Sequence, residues 1–364
     1  MKQILLQKIK VFMVKEYIIR SINPFGSPAL DVTNEEFMAH GFEFGDLLDI
    51  EFDNGCVKKN VPFYSGFYVR RGEPVVVSYS QDPYPTICYN YLSFSDIEHI
   101  KVGMRVKISL KEKGKYKWIN EKKNLYYTND RNDYDDDYTF ANARMICGGK
   151  LKKGFLYRAC SPFDNHVLRR AYSAKFCEDM GIQTILNLAD TKEKLLEYLL
   201  DNELPDISCA MINEDRVVCA PLKIDYLSKE YEEGVKKGLV ELINKKGPIL
   251  INCLEGKDRT GFVAALLGAL GGMSFDELVS DYMLSFDNYY KVNKSTDIEN
   301  YWMIVEDNLY DILMCIGGFE GLYYEEYRKR LELMDWSKAA KKYLEYIGMP
   351  TQDINKLYKM ITEE

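Results

Sequence analysis

The sequence predicts an α/β domain, built on a central, mostly parallel sheet flanked by helices and preceded by a smaller, mostly-β barrel or sandwich domain. Three observations carry that prediction. From about Phe140 onward, short β-branched runs alternate with stretches of helical periodicity, the rhythm of a parallel α/β sheet. Before about residue 127 the apolar runs are short and separated by Gly, Pro and Asn, as in small antiparallel barrels and sandwiches. Between the two lies the polar, acidic run Asn129-Asp130-Arg131-Asn132-Asp133-Tyr134-Asp135-Asp136-Asp137-Tyr138. The expected organisation is an accessory domain over 1–127, an acidic linker over 128–139, and an α/β domain with a helical C-terminal extension over 140–364.

In chain order, Leu47 to Phe52, Glu73 to Ser78 and Val102 to Leu110 read as strands of the first domain, because they are rich in β-branched residues. Leu168 to Met180 is helix-like and stops before Gly181, and Ile182 to Leu188 is a strand. Asp190-Thr191-Lys192-Glu193 has the form of a capping box opening a helix through Leu200. Tyr231, Val235, Leu239, Leu242 and Ile243 share one helical face that ends before Gly247. After the Gly247-Pro248 break, Ile249 to Asn252 suits a strand buried on both faces, and Thr260 to Leu270 suits a buried helix. Ser274-Phe275-Asp276-Glu277 opens a further helix, and Tyr323 to Met334 and Trp336 to Ile347 are helical packing elements.

Composition excludes several classes. Across 364 residues the net charge is -8, which argues against nucleic acid as a partner, since phosphate backbones demand a basic surface. Nine cysteines are scattered without a Cys-x-x-Cys pair and only three histidines are present, so neither a disulfide framework nor a zinc site is expected. No apolar run approaches the roughly 18 residues of a membrane span, and the first residues lack a leader pattern. A reducing, cytoplasmic setting is expected.

The chemistry concentrates in Cys253-Leu254-Glu255-Gly256-Lys257-Asp258-Arg259-Thr260-Gly261, between the predicted strand and the predicted helix. A loop there aims free backbone N–H groups at one point where the helix dipole also favours negative charge, so a phosphate would settle on the amides of Leu254, Glu255 and their neighbours. The same field favours the thiolate of Cys253, the nucleophilic form. Arg259 can clamp two phosphoryl oxygens with its planar fork, Gly256 lets the backbone come close to the anion, and Thr260 can hydrogen-bond the sulfur. Lys257 supplies a further cation, suited either to a second phosphate or to bracing Asp258. A departing oxygen needs a proton, and Asp258 and Asp225 are the candidates, with Asp190 read as a helix cap and Asp215 as a weaker choice in a polar loop.

These residues carry a resemblance. The loop is similar to the signature loop of the cysteine-dependent protein tyrosine phosphatases, above all a bacterial tyrosine/dual-specificity branch reading Cys-x-x-Gly-Lys-Asp-Arg-Thr-Gly. Lys153 to Ala159, Gly181 to Leu188 and Ser280 to Ser285 resemble other segments of that branch, so the likeness runs from about Tyr138 to about Tyr290. Two positions depart from it: Asn252 stands where His usually precedes the nucleophile, and Asn187 and Ala189 replace an Asp and an Arg. Asn252-Cys253-Leu254 with Glu255 also resembles the Sac-type inositol-lipid phosphatases. The resemblance implies a phosphatase α/β domain that hydrolyses phosphate monoesters through a cysteinyl-phosphate, with no cofactor or metal. Phosphotyrosine protein is the expected substrate, a phosphoinositide or inositol phosphate is the alternative, and a catalytically idle phospho-ligand binder is the rival from another class.

Overall fold

A computed structural model describes residues 13–79, 82–165, 168–223, 225–319 and 324–363. The chain divides into two compact units, Met1–Leu125 and Tyr126–Glu364.

In the first unit, β1 (Val14–Ile22), β2 (Pro28–Leu30), β3 (Leu47–Phe52), β4 (Val57–Tyr64), β5 (Pro74–Val77), β6 (Thr86–Tyr89) and β7 (Arg105–Glu112) form a closed barrel. Its strand order is β1-β2-β6-β5-β4-β3-β7, closed by antiparallel pairing of β7 with β1. Of the barrel and sandwich that the sequence left open, the structure has the barrel. Alternation does the sorting: in β7, Val106 and Ile108 are buried while Arg105 and Lys107 face out. Three short helices accompany it, α1 (Asn34–Ala39), α2 (Phe94–Glu98) and α3 (Lys117–Lys123). Phe37 of α1 packs into the barrel core with Phe42 and Phe63.

The second unit follows the order α4 (Asp137–Phe140), β8 (Arg144–Met145), β9 (Leu156–Ala159), α5 (Arg170–Asp179), β10 (Thr184–Asn187), α6 (Lys192–Tyr198), α7 (Asp206–Asn213), β11 (Val217–Cys219), α8 (Lys229–Leu242), β12 (Ile249–Asn252), α9 (Asp258–Leu270) and α10 (Phe275–Tyr290). The sheet runs β11-β10-β12-β9-β8, parallel except for β8 against β9. Asn187, Asn252 and Ala159 stand side by side at its C-terminal edge. α9 is buried from Thr260 to Leu270, as a helix apolar all round must be. The C-terminal elements are α11 (Ile298–Ile304), α12 (Tyr310–Gly317), α13 (Tyr324–Glu332), α14 (Trp336–Tyr346) and α15 (Thr351–Ile361), and α10, α12 and α14 pack against α9. A π-helical turn, Val305–Leu309, joins α11 to α12.

Two expectations change. The run 128–139, expected as a tether, is structured as part of the second unit: Asp130 caps a 3-10 turn at Arg131–Asp133 and Asp136 caps α4. Tyr134 is buried and donates to the Thr128 carbonyl at 2.7 Å. Asp130 and Asp136 serve as caps and Tyr134 as core, which composition alone does not distinguish from a solvated linker. Asp190 is not the cap of α6. Thr191 holds that place, accepting from the Lys194 N–H. Among the described residues, no helix is long and apolar enough to cross a membrane.

Candidate active site

Cys253 follows the last residue of β12, and α9 begins at Asp258, so the loop between them rests on the C-terminal edge of the sheet. Its backbone is held from one side. The carbonyl of Leu254 accepts from the Ser161 N–H at 2.8 Å. That of Glu255 accepts from Tyr289 Oη at 2.9 Å and Asn142 Nδ2 at 3.1 Å. Arg158 Nη2 reaches the carbonyls of Gly256 at 2.8 Å and Lys257 at 3.1 Å. Each trans peptide directs its N–H opposite to its C=O, so tying four successive carbonyls on the outside turns the amides of Glu255 to Asp258 inward. Among the described residues, none accepts a hydrogen bond from the N–H groups of Leu254 to Arg259.

Gly256 has a second reason to be glycine. Its φ is +68°, and a Cβ would lie 2.1 Å from the Ala159 carbonyl oxygen, so the loop can lie against the end of β9 only without a side chain.

Behind the loop sits a buried charge cluster. Arg158, fully buried, places Nη1 2.5 Å from Asp281 Oδ2, and Arg144 reaches Asp281 Oδ1 at 3.3 Å and the Ser285 hydroxyl at 2.9 Å. Burial pushes the Arg144 guanidinium down to about 10, with the neighbouring Arg158 adding to it. Burial alone would raise the Asp281 carboxyl, but Arg158 and Arg144 outweigh it and hold it below the ordinary range. Two cations against one carboxylate leave a net positive charge beneath the loop, where an anion in front of it is favoured.

Arg259 is the second residue of α9. Its Nη1 donates to the carbonyls of Leu188 at 3.1 Å and Leu222 at 3.2 Å, which follow β10 and β11 at the same sheet edge. One corner of the guanidinium is thereby fixed, and Nε and Nη2 remain for an oxyanion. Cys253 is buried, with 3% of its surface exposed. Thr260 is fully buried, and its Oγ1 has no partner among the described residues. Asn252 donates from Nδ2 to the Cys253 carbonyl at 3.1 Å, so its amide braces the backbone of Cys253.

The charged side chains of the loop face one another. Lys257 Nζ lies 2.9 Å from Tyr290 Oη, 3.1 Å from Glu255 Oε2 and 3.9 Å from Asp258 Oδ2. Glu255 Oε1 accepts from Tyr127 Oη at 2.7 Å. Asp258 is half-exposed at the first position of α9. Asp225 lies on the segment that carries Leu222 to Arg259, and its Oδ1 accepts from the Leu227 N–H at 3.2 Å. The following helix α8 is capped by Ser228, whose side chain accepts from the Tyr231 N–H. Asp190 is buried at the loop-bearing edge, where Tyr198 Oη donates to Oδ1 at 3.2 Å and Asn187 Nδ2 to Oδ2 at 3.0 Å. Asp215 precedes β11, at the opposite edge of the sheet, and pairs with Lys192 and Lys245. Among the described residues, no cluster of three or more His, Cys, Asp or Glu side chains is arranged to hold a metal.

Sequence reasoning missed residues that shape the loop from behind: Asn142, Arg144 and Ser161 carried no local signal. Arg158 and Asp281 lay in segments singled out by resemblance, but their pairing joins positions 123 apart in the chain.

A 71-residue stretch is 38% identical to the triple specificity protein phosphatase PtpB of Mycobacterium tuberculosis, covering 17% of this chain and 26% of that protein, so the match spans about a quarter of the relative's length. Among solved structures, the core catalytic domain of the PP-IP phosphatase SIW14 from S. cerevisiae, in complex with citrate, is 17% identical with a TM-score of 0.26, over 45% of this chain and 89% of that one. TpbA of P. aeruginosa is 17% identical with a TM-score of 0.24, over 41% and 84%. Residues 140–363, which hold the sheet, the loop and its supports, match the tyrosine phosphatase family, and the chain belongs to that family.

Proposed function

We propose that the unit Tyr126–Glu364 hydrolyses phosphate monoesters through a cysteinyl-phosphate, with phosphotyrosine protein as its substrate. The observation that carries this reading is the loop itself: the carbonyls of Leu254 to Lys257 are each tied by a hydrogen bond, which turns the amides of Glu255 to Asp258 away from those ties, in the stretch between Cys253 and Arg259.

In the reaction the Cys253 sulfur attacks phosphorus while the ester oxygen leaves with its electron pair and takes a proton. Arg259 and the loop amides bind the three equatorial oxygens, whose charge grows in the transition state. Asp225 is the proton donor. Its segment is pinned to the Arg259 guanidinium through the Leu222 carbonyl, whereas Asp258 stands beside Lys257, where it braces the loop. A water then attacks phosphorus, the S–P bond breaks, and Asp225 recovers a proton from that water.

The phosphoprotein reading is preferred to a phosphoinositide because Lys257, the cation that would favour a second phosphate, is already engaged by Tyr290 and Glu255. A relative described as a protein phosphatase supports the same choice. The test is a burst of p-nitrophenol from p-nitrophenyl phosphate, blocked by vanadate and absent in Cys253→Ser, followed by a panel of phosphotyrosine peptides and inositol lipids. Turnover of lipids alone would remove the phosphoprotein assignment, and vanadate binding without any turnover would leave a phospho-ligand binder.

A further inference from the structure

The sequence assigns Glu255 a backbone amide at the phosphate and leaves Lys257 between a second phosphate and bracing Asp258; in the structure both side chains meet other partners. Lys257 keeps only 12% of its side chain exposed, and its ammonium meets Tyr290 Oη, Glu255 Oε2 and the faces of Tyr290 and Phe286, at 5.1 and 5.6 Å from the ring centroids. Burial works against the ammonium, but Asp258, Glu255 and Tyr290 together hold its affinity for a proton well above the ordinary range. The other Glu255 oxygen is taken by Tyr127, whose ring packs against Tyr289 and Tyr290 at 4.9 and 5.7 Å. Tyr289 in turn donates to the Glu255 carbonyl. The loop is thus gripped at side chain and backbone by the end of α10 and by Tyr127.

We propose that Tyr127, Glu255, Lys257 and Tyr290 form a latch that sets the shape of the loop, and that Lys257 and Glu255 are positioning residues which do not touch the phosphate. The proposal rests on the reading of this loop as a phosphate site and deepens it: with its lysine committed to the latch, the loop does not discriminate between substrates by counting their phosphates. For Lys257 to reach a second phosphate, it would have to give up both the Glu255 carboxylate and the Tyr290 hydroxyl.

The test compares full-length Lys257→Met, Lys257→Arg, Tyr290→Phe and the double variant K257M/Y290F with the parent protein. Activity is read on p-nitrophenyl phosphate, a phosphotyrosine peptide and an inositol bisphosphate, alongside hydrogen–deuterium exchange of the peptide spanning the loop. The expected result is that K257M lowers kcat/KM by about tenfold on every substrate that is turned over, by the same factor, chiefly through kcat, because the reacting groups are misplaced while the substrate is still held. K257R restores part of the loss, Y290F loses less, and K257M/Y290F is no worse than K257M, as for two members of one unit. Exchange in the loop rises in K257M while the sheet is unchanged. A loss confined to the inositol bisphosphate would make Lys257 a substrate-binding residue and overturn the proposal, as would unchanged loop exchange. Exchange is read whether or not the protein turns over phosphate, so failure of the enzymatic reading and failure of the latch are separate results.

Discussion

Two strand–loop–helix units end at the same edge of the sheet, and they treat the start of their helix in opposite ways. After β10, Thr191 turns its hydroxyl onto the Lys194 N–H, and α6 is capped by its own side chain. After β12, Lys257 occupies the corresponding position without a side-chain cap, and supports from β9, α10 and the segment before β8 hold the loop open from behind. The topology is shared and the difference is in who satisfies the first amides. A helix that caps itself has closed its N-terminus to ligands. One whose amides are turned to a common point, with a net positive cluster behind them, is arranged for an external anion.

The largest effect separates chemistry from the cradle. Cys253→Ser leaves the amides and Arg259 in place, so turnover should fall by roughly a thousandfold or more while vanadate or phosphate still binds, measured by steady-state kinetics and calorimetry. Loss of anion binding with the same substitution would mean that the loop depends on the sulfur for its shape. Gly256→Ala attacks the cradle instead. A methyl 2.1 Å from the Ala159 carbonyl, at a φ of +68°, must displace the loop from β9, so kcat/KM should fall by about a hundredfold and oxyanion affinity should fall with it.

The next effect concerns the cluster beneath the loop. Asp281 is held below the ordinary carboxylate range, so its contribution to stability is fully present above that range and is lost as pH falls through its folded-state value. Asp281→Asn leaves Arg158 and Arg144 buried without a counter-charge, at a cost of about 3–5 kcal/mol. Melting temperature measured against pH should therefore be lower at neutral pH in the variant and should decline less steeply toward acid. Parallel acid limbs would remove Asp281 from the pH dependence.

How far the sequence reached follows from which interactions are local. The stretch Gly247 to Leu270 was legible because strand, break, glycine and buried helix are written consecutively. The strands at Leu47–Phe52 and Arg105–Glu112 were legible from β-branched runs, though closure of the barrel by β1 and β7 was not, since pairing between distant strands leaves no local mark. Arg158 and Asp281 fall in the same class, and the tied carbonyls of Gly256 and Lys257 depend on them. The cap of α6 was misplaced by one residue because Asp190 and Thr191 both suit the pattern. The structure decides between them through Tyr198 and Asn187, which draw the Asp190 carboxylate into the interior.

That misplacement supplies the smallest and most specific test of the comparison. Thr191 is exposed and serves only α6, so Thr191→Ala should destabilise the protein by about 1 kcal/mol in denaturant unfolding and leave kcat/KM unchanged. Asp190→Asn keeps the shape of the side chain near Tyr198 and alters no cap, so it should leave the start of α6 as it is. If T191A had no effect and D190N loosened α6 in hydrogen exchange, the cap would belong to Asp190. The contrast between a self-capped helix and one left open for an anion would then need a different control.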